Sequence, residues 1–186
     1  MVQIIIKPAD PAWAGEFARL KPAILSMAPA GAVIHHIGST AVPGLPAKDV
    51  IDIQLTVDAL SDVDGAAIEA QGFRERFGRV DHCPPGLNLL DVELQKRFFA
   101  GTWRRVHLNV RQRGRFNQRF SVLSRFFLRT HPCSAGAYAA IKQRLALLFP
   151  DNEDAYYDIK DPVFDIIMDG AEEWVRRVAW SLPPSD

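Results

Sequence analysis

The sequence predicts an α+β fold: a mixed β-sheet backed by helices, followed by a helical C-terminal part. Three observations predict it. Short apolar runs of strand length fall in roughly the first 115 residues; from Asn117 onward the apolar spacing becomes helical; and glycine or proline marks most of the boundaries between them. At 186 residues the chain suits a single domain over 1–186, with a sheet core over about 30–115 and helices over about 116–180.

Residues 2–7 read as a short strand. Asp10 then offers a cap and Pro11 a first-turn proline, and Trp13, Phe17, Leu20, Ile24 and Met27 recur at helical spacing, so a helix is predicted over 11–28. A first central strand covers 32–37 and ends at Gly38. A second covers 49–57, with Ile51, Ile53, Leu55 and Val57 on one face and Asp52, Gln54 and Thr56 on the other. A helix over 60–71 stops at Gly72, and 73–94 reads as irregular, with an exposed loop at Cys83-Pro84-Pro85-Gly86. Strands over 96–100 and 105–111 join around Gly101; in the latter Val106, Leu108 and Val110 alternate with His107 and Asn109. One helix carries Phe120, Leu123, Phe127 and Leu128 and breaks at His131-Pro132. The next carries Tyr138, Ile141, Leu145 and Leu148 and ends near Pro150. The last, capped by Asp151 or Asn152, runs over 153–180 with Pro162 inside as a kink or interruption.

Composition narrows the function classes. Lys plus Arg and Asp plus Glu each total 22, so the net charge is zero and neither nucleic acid nor an anionic membrane is expected as the main partner. Arg104, Arg105, Arg111, Arg113, Arg115 and Arg119 crowd one stretch, which reads either as a local cationic groove or as exposed arginines flanking a strand. Cys83 and Cys133 lack the spacing of a zinc site. No apolar run approaches the ~18 residues of a membrane span. The first ten residues are too polar for a secretory signal. The chain therefore reads as cytoplasmic with reduced thiols.

The chemistry concentrates in the stretch from His35 to Leu55. Gly38-Ser39-Thr40 ends a strand, where free backbone N–H groups and hydroxyls can meet a phosphate. Asp52, on the neighbouring strand, is where a magnesium ion bridging to that phosphate would be held. A P-loop is excluded, because five residues separate Gly38 from Gly44 and Leu45 stands where lysine is needed. His36-Ile37-Gly38-Ser39 resembles the HIGH signature of one class of aminoacyl-tRNA synthetases, but that class needs a longer chain and a second, lysine-rich signature. A Gly-Ser turn followed after about a dozen residues by an aspartate in an apolar strand resembles the signature of the nucleotidyltransferase fold. The match covers Gly38, Ser39 and Asp52 and fails at Gln54, where the second carboxylate belongs. The polar positions on the later matching strand are His107 and Asn109 rather than an acid.

More of the chain is similar to the GrpB family (UPF0157) of nucleotidyltransferase-like proteins. The resemblance rests on His36-Ile37-Gly38-Ser39-Thr40-Ala41-Val42-Pro43-Gly44-Leu45, Ala47-Lys48-Asp49-Val50-Ile51-Asp52, Lys96-Arg97-Phe98-Phe99, Val106-His107-Leu108-Asn109-Val110 and Phe116-Asn117-Gln118-Arg119-Phe120. His131-Pro132, Tyr138, Lys142, Tyr156 and Lys160 continue it, over roughly positions 8 to 175. The variant Lys48-Asp49-Val50-Ile51-Asp52-Ile53-Gln54 is similar to the domain appended to actinobacterial dephospho-CoA kinases. The resemblance implies a nucleotidyltransferase-like fold more firmly than a reaction.

On this reading Gly38, Ser39 and Thr40 cradle phosphate, with Lys48, Gln54, Asn109, Lys142 and Lys160 as further ligand contacts. Asp52 is the Mg²⁺ ligand and, with His107 as general base, the catalytic pair. Tyr138–Lys142 and Tyr156–Lys160 each share a helix face and close over the ligand from the helical side. Asp91-Val92-Glu93 has the acid spacing that Gln54 breaks, but no Gly-Ser turn precedes it, and it reads as a charged outer face. A neutral Gln54 cannot serve as a base, so binding of a nucleotide or phosphorylated small molecule survives better than fast transfer. The alternative is a non-catalytic module that folds or regulates a partner such as dephospho-CoA kinase; a homodimer is also open.

Overall fold

Alternation in the two central strands sets the architecture. The computed structural model describes residues 3–186. Strands β1 (Val33–Ile37), β2 (Ile51–Val57), β3 (Phe73–Glu75), β4 (Lys96–Gly101) and β5 (Val106–Gln112) form one sheet in the order β1-β2-β5-β4-β3. Only β2 and β5 run parallel; the other neighbours are antiparallel, so the sheet is mixed and the fold α+β. Ile51, Ile53, Leu55 and Val57 of β2 join Val106, Leu108 and Val110 of β5 in one buried cluster. Helix α1 (Ala12–Ser26) covers it with Trp13, Phe17 and Ile24, and α2 (Gly65–Ala70) with Ile68. Burial on this scale, about 1.5–3 kcal/mol per large apolar side chain, holds the sheet to its first helical layer.

The second face carries the polar half of the alternation, and α3 (Phe116–Thr130) lies on it. Its Gln118 carbonyl accepts from Gln54 Nε2 at 2.9 Å, and its Arg125 guanidinium donates to His36 O at 2.7 Å. Helices α4 (Pro132–Leu148) and α5 (Glu153–Val178) pack on α3 through Leu123, Phe127, Leu128, Tyr138 and Met168. Asn152 caps α5 by accepting from Ala155 N at 3.0 Å. The helix runs unbroken through Pro162, and the carbonyl that loses its N–H partner one turn earlier belongs to exposed Asp158, at the surface.

Four expectations change. Within 3–7 Lys7 forms an isolated bridge to Ala47 and Ile4 N donates to Pro150 O, with no strand, and Val2 lies outside the described residues. The 60–71 helix splits into a 3₁₀ turn, Leu60–Asp62, and α2, because the Asp64 carboxylate caps Ala66 N and Ala67 N and restarts the helix there. Strand β3 arises inside the stretch read as irregular. Asp91–Glu93, read as a charged outer face, forms a 3₁₀ turn, and Glu93 is spent inside the protein, accepting from Arg115 and from the Phe116 N–H.

The outer edge of β1 is covered by residues 184–186. Ile34 N donates to Ser185 Oγ at 3.0 Å and Asp186 N to Ile34 O at 3.1 Å. His36 N and the Arg125 guanidinium both donate to the Asp186 carboxylate. Among the described residues no helix is long and apolar enough to cross a membrane.

Candidate functional site

The site forms where β1 turns over the end of β2. Gly38 has φ 72°, a left-handed conformation that favours glycine, and a Cβ there would stand 2.6 Å from Asp52 Oδ2. The register pairs Ile37 with Asp52, which brings the turn against the carboxylate. Across the parallel pair Asp52 faces His107, whose Nδ1 lies 3.1 Å from Asp52 Oδ1. The two side chains are 31% and 34% exposed, so the pair meets solvent. Phe98 packs edge-on against the imidazole at 5.1 Å between ring centroids.

Ser39 opens a 3₁₀ turn, Ser39–Ala41, and its Oγ accepts from Lys142 Nζ at 2.8 Å. The same ammonium donates to Pro46 O at 2.7 Å and sits 4.6 Å from the Tyr138 ring. Burial, then the Lys160 ammonium, push the Lys142 pKa down to about 7. Burial raises the Tyr138 phenol, with the Ser39 hydroxyl beside it tempering the rise. Lys48 donates to Tyr157 Oη at 2.6 Å and lies 3.7 Å from Glu153. Burial lowers the Lys48 pKa, while the charges of Glu153 and Asp52 partly restore it. Lys160 pairs with Asp161 at 2.5 Å and lies over the Tyr157 ring rather than Tyr156, so only the Tyr138–Lys142 pair stacks as a pair.

Gly38, Ser39, Asp52, His107 and Lys142 thus come together through direct contacts, and Lys48 and Lys160 come together at Tyr157. Three expected contacts do not. The Thr40 hydroxyl is buried, donates to Val50 O at 3.0 Å and meets His36 Nε2 at 3.0 Å, so it fastens the turn to β2. Burial above all holds His36 neutral, with its pKa down to about 4. Gln54 is 0% exposed, and its amide is fully engaged: Nε2 to Thr56 Oγ1 and Gln118 O, Oε1 to Arg111. Asn109 accepts from Lys96 at 3.1 Å. Alternation told the face of Gln54 and Asn109 correctly; α3, which seals that face, is why those two stay inside.

Asp81 organises the sealed part. Its carboxylate takes Arg111 Nε at 2.7 Å, Lys96 at 2.7 Å and Asn117 Nδ2 at 3.0 Å. Burial pushes its pKa up, but the Arg111 guanidinium and Lys96 ammonium overrule it and hold the carboxyl at about 2. Most of the arginine-rich stretch is likewise spent on carboxylates: Arg104 on Glu16 and Asp49, Arg113 on Asp58, Arg115 on Glu93, Arg119 on Glu172. It forms no free cationic groove. Asp81, Lys96, Phe98 and Tyr157 were not singled out as site residues. Lys96 and Phe98 had a signal in the Lys96-Arg97-Phe98-Phe99 block, and Tyr157 in its place three positions before Lys160.

A divalent ion would find one carboxylate here. Gln54 and Asn109 are committed elsewhere, and among the described residues no three His, Cys, Asp or Glu side chains converge on a point. The donor set suits Mg²⁺ held by Asp52 and completed by ligand phosphate oxygens and water, not a two-metal clamp. Two cavities, of about 530 and 370 Å³, lie elsewhere. The first is between the Pro43–Pro46 loop and Leu128, Pro132 and Ala135; the second is between Glu93, Phe120 and Met168.

The family described as GrpB protein matches residues 3–170. UPF0157 protein PA4798 of Pseudomonas aeruginosa is 36% identical over 163 residues, covering 87% of this chain and 64% of that protein. UPF0157 protein YqkA of Bacillus subtilis is 30% identical over 167 residues, covering 88% and 46%. A dephospho-CoA kinase of Mycobacterium tuberculosis is 30% identical over 194 residues, covering 93% and 47%. The chain therefore spans about half to two thirds of the length of these curated relatives. The crystal structure of GrpB from Enterococcus faecalis matches with a TM-score of 0.75 at 27% identity, covering 91% of this chain and 99% of that one.

Proposed function

The chain belongs to the GrpB family, and from that premise we propose that the cleft between the Gly38 turn and helices α4 and α5 binds a nucleotide or another phosphorylated small molecule. The observation that carries this reading is the Lys142 ammonium on Ser39 Oγ with no carboxylate paired to it among the described residues, whereas Lys48 and Lys160 have Glu153 and Asp161. Lys142 thus lacks a counter-charge, and a phosphate supplies it.

Asp52 would hold a magnesium ion there, which would supply charge neutralisation to the ligand phosphate. When His107 Nδ1 donates to Asp52, Nε2 keeps its lone pair toward the cleft and can accept the proton of an acceptor hydroxyl. Nucleotidyl transfer at this site is slow, because a single carboxylate holds a single ion and the amide of Gln54 offers no second one. The setting is cytoplasmic.

Thermal unfolding with a panel of nucleotides and inorganic pyrophosphate, with and without Mg²⁺, tests the reading. A ligand at 100-fold its Kd stabilises by about 2.7 kcal/mol. The expected result is a shift that loses its magnesium dependence in Asp52→Ala; unchanged melting across the panel overturns the reading.

A second reading rests on the near-half-length match to dephospho-CoA kinases. It makes the chain a non-catalytic module that folds or regulates such a kinase. A stable complex with a dephospho-CoA kinase on size-exclusion chromatography, undiminished by Asp52→Ala, favours it over the first.

A further inference from the structure

Lys142 is 3% exposed, whereas Ser39, which takes its hydrogen bond, is only half-buried. The buried ammonium therefore reaches the cleft through the serine. The groups that face it are the Ser39 hydroxyl and Pro46 carbonyl from the turn after β1, the Tyr138 ring on its own helix, and the Lys160 ammonium on α5. Among the described residues no carboxylate pairs with it, and a buried cation without a counter-charge costs several kcal/mol.

A serine hydroxyl has one proton to donate and two lone pairs to accept with. A charged Lys142 can only donate, so it occupies a Ser39 lone pair, and the Ser39 proton is left for the Tyr138 phenol oxygen or for a ligand oxygen that displaces it. A neutral Lys142 keeps two N–H groups, enough for Ser39 Oγ and Pro46 O, but brings no positive charge to the turn. The charged form attracts an oxyanion and the neutral form does not.

We propose that Lys142 is a positioning residue that fixes Ser39 as a hydrogen-bond donor to a ligand oxyanion, so that anion binding at this turn is coupled to the uptake of one proton by Lys142. The proposal rests on the phosphorylated-ligand reading above and adds to it the proton that accompanies the ligand. Its sign follows from burial: the Lys142 pKa of about 7 in the free protein rises when a phosphate supplies the missing charge. Affinity is then full below pH 7 and falls as pH rises above it.

Titration calorimetry of the full chain with ATP and with inorganic pyrophosphate, in buffers of different ionisation heat, reads the proton count directly. The expected uptake, relative to Lys142→Met, is about 0.1 proton at pH 6 and about 0.9 at pH 8, with affinity about 10-fold weaker at the higher pH. The ligand's own titration is common to both proteins and cancels in that difference. Lys142→Arg, charged at both pH values, binds without this pH dependence. For the unmodified chain, NMR of ¹³Cε-labelled lysine gives the same answer without a variant: one lysine titrates near neutrality and moves upward when ligand is added. Binding without the extra proton, or the absence of a lysine titrating near neutrality, overturns the proposal and leaves the phosphorylated-ligand reading standing. No binding of either probe at either pH overturns both.

Discussion

Two rungs of the same parallel ladder behave as opposites. Asp52–His107 and Gln54–Asn109 are successive pairs on one face of β2 and β5, two residues apart in one register. The first meets solvent beside the Gly38 turn; the second lies under α3, with Gln54 bound to Arg111 and Gln118 and Asn109 bound to Lys96. Both are polar, yet only the outer rung keeps hydrogen-bonding capacity for a ligand. The difference comes from where the helical cover stops. A buried polar group must find its partners inside the protein, and once it has them it has nothing left to offer.

Breaking the inner rung has the largest expected effect. Asp81→Ala strands Arg111 and Lys96 without their carboxylate, and urea unfolding should show a loss of about 3–5 kcal/mol. A loss below about 1 kcal/mol would mean that water, not Asp81, satisfies those cations. The turn joining the two rungs to β1 has its own acid sensitivity. His36, buried under Phe17 and bound to Thr40, stays neutral to about pH 4, while an unfolded histidine protonates near 6.5. The unfolded chain therefore binds more protons in that window, and stability falls as pH drops from 6.5 toward 4, by up to about 3 kcal/mol. Unfolding midpoints at pH 7, 5.5 and 4.5, compared with His36→Gln, check the slope. The smallest structural effect belongs to the outer rung. Asp52→Asn breaks a half-exposed pair worth about 1 kcal/mol or less, so the melting temperature should hardly move while the magnesium dependence of ligand binding disappears. A large loss of stability in Asp52→Asn would erase the contrast between the rungs.

Much of this was readable before any coordinates. The five helices and four of the five strands follow from apolar period, and the α+β class from their order. Strand β3 was not legible, because Phe73-Arg74-Glu75 is three residues long and has one apolar side chain, too little for alternation to register. The break at Asp64 was missed because a capping aspartate inside an apolar-periodic stretch looks like one more surface position. In the site, local sequence placed Gly38, Ser39 and Asp52 together, since they lie on consecutive strands joined by a short loop. It could assign Gln54 and Asn109 a face but not a depth, because depth depends on α3, more than 60 residues downstream of Gln54. The pairing of Lys142 with Ser39, 103 residues apart, belongs to tertiary packing alone.

The short segment laid along β1 also bears on how copies of this protein meet one another. Ser185 and Asp186 occupy backbone positions on that strand that a foreign chain would otherwise recruit, and the opposite border of the sheet ends in only the three residues of β3. With one flank already taken and the other this brief, the sheet presents little template for runaway strand-to-strand stacking, and crowding should favour dispersed molecules over fibres.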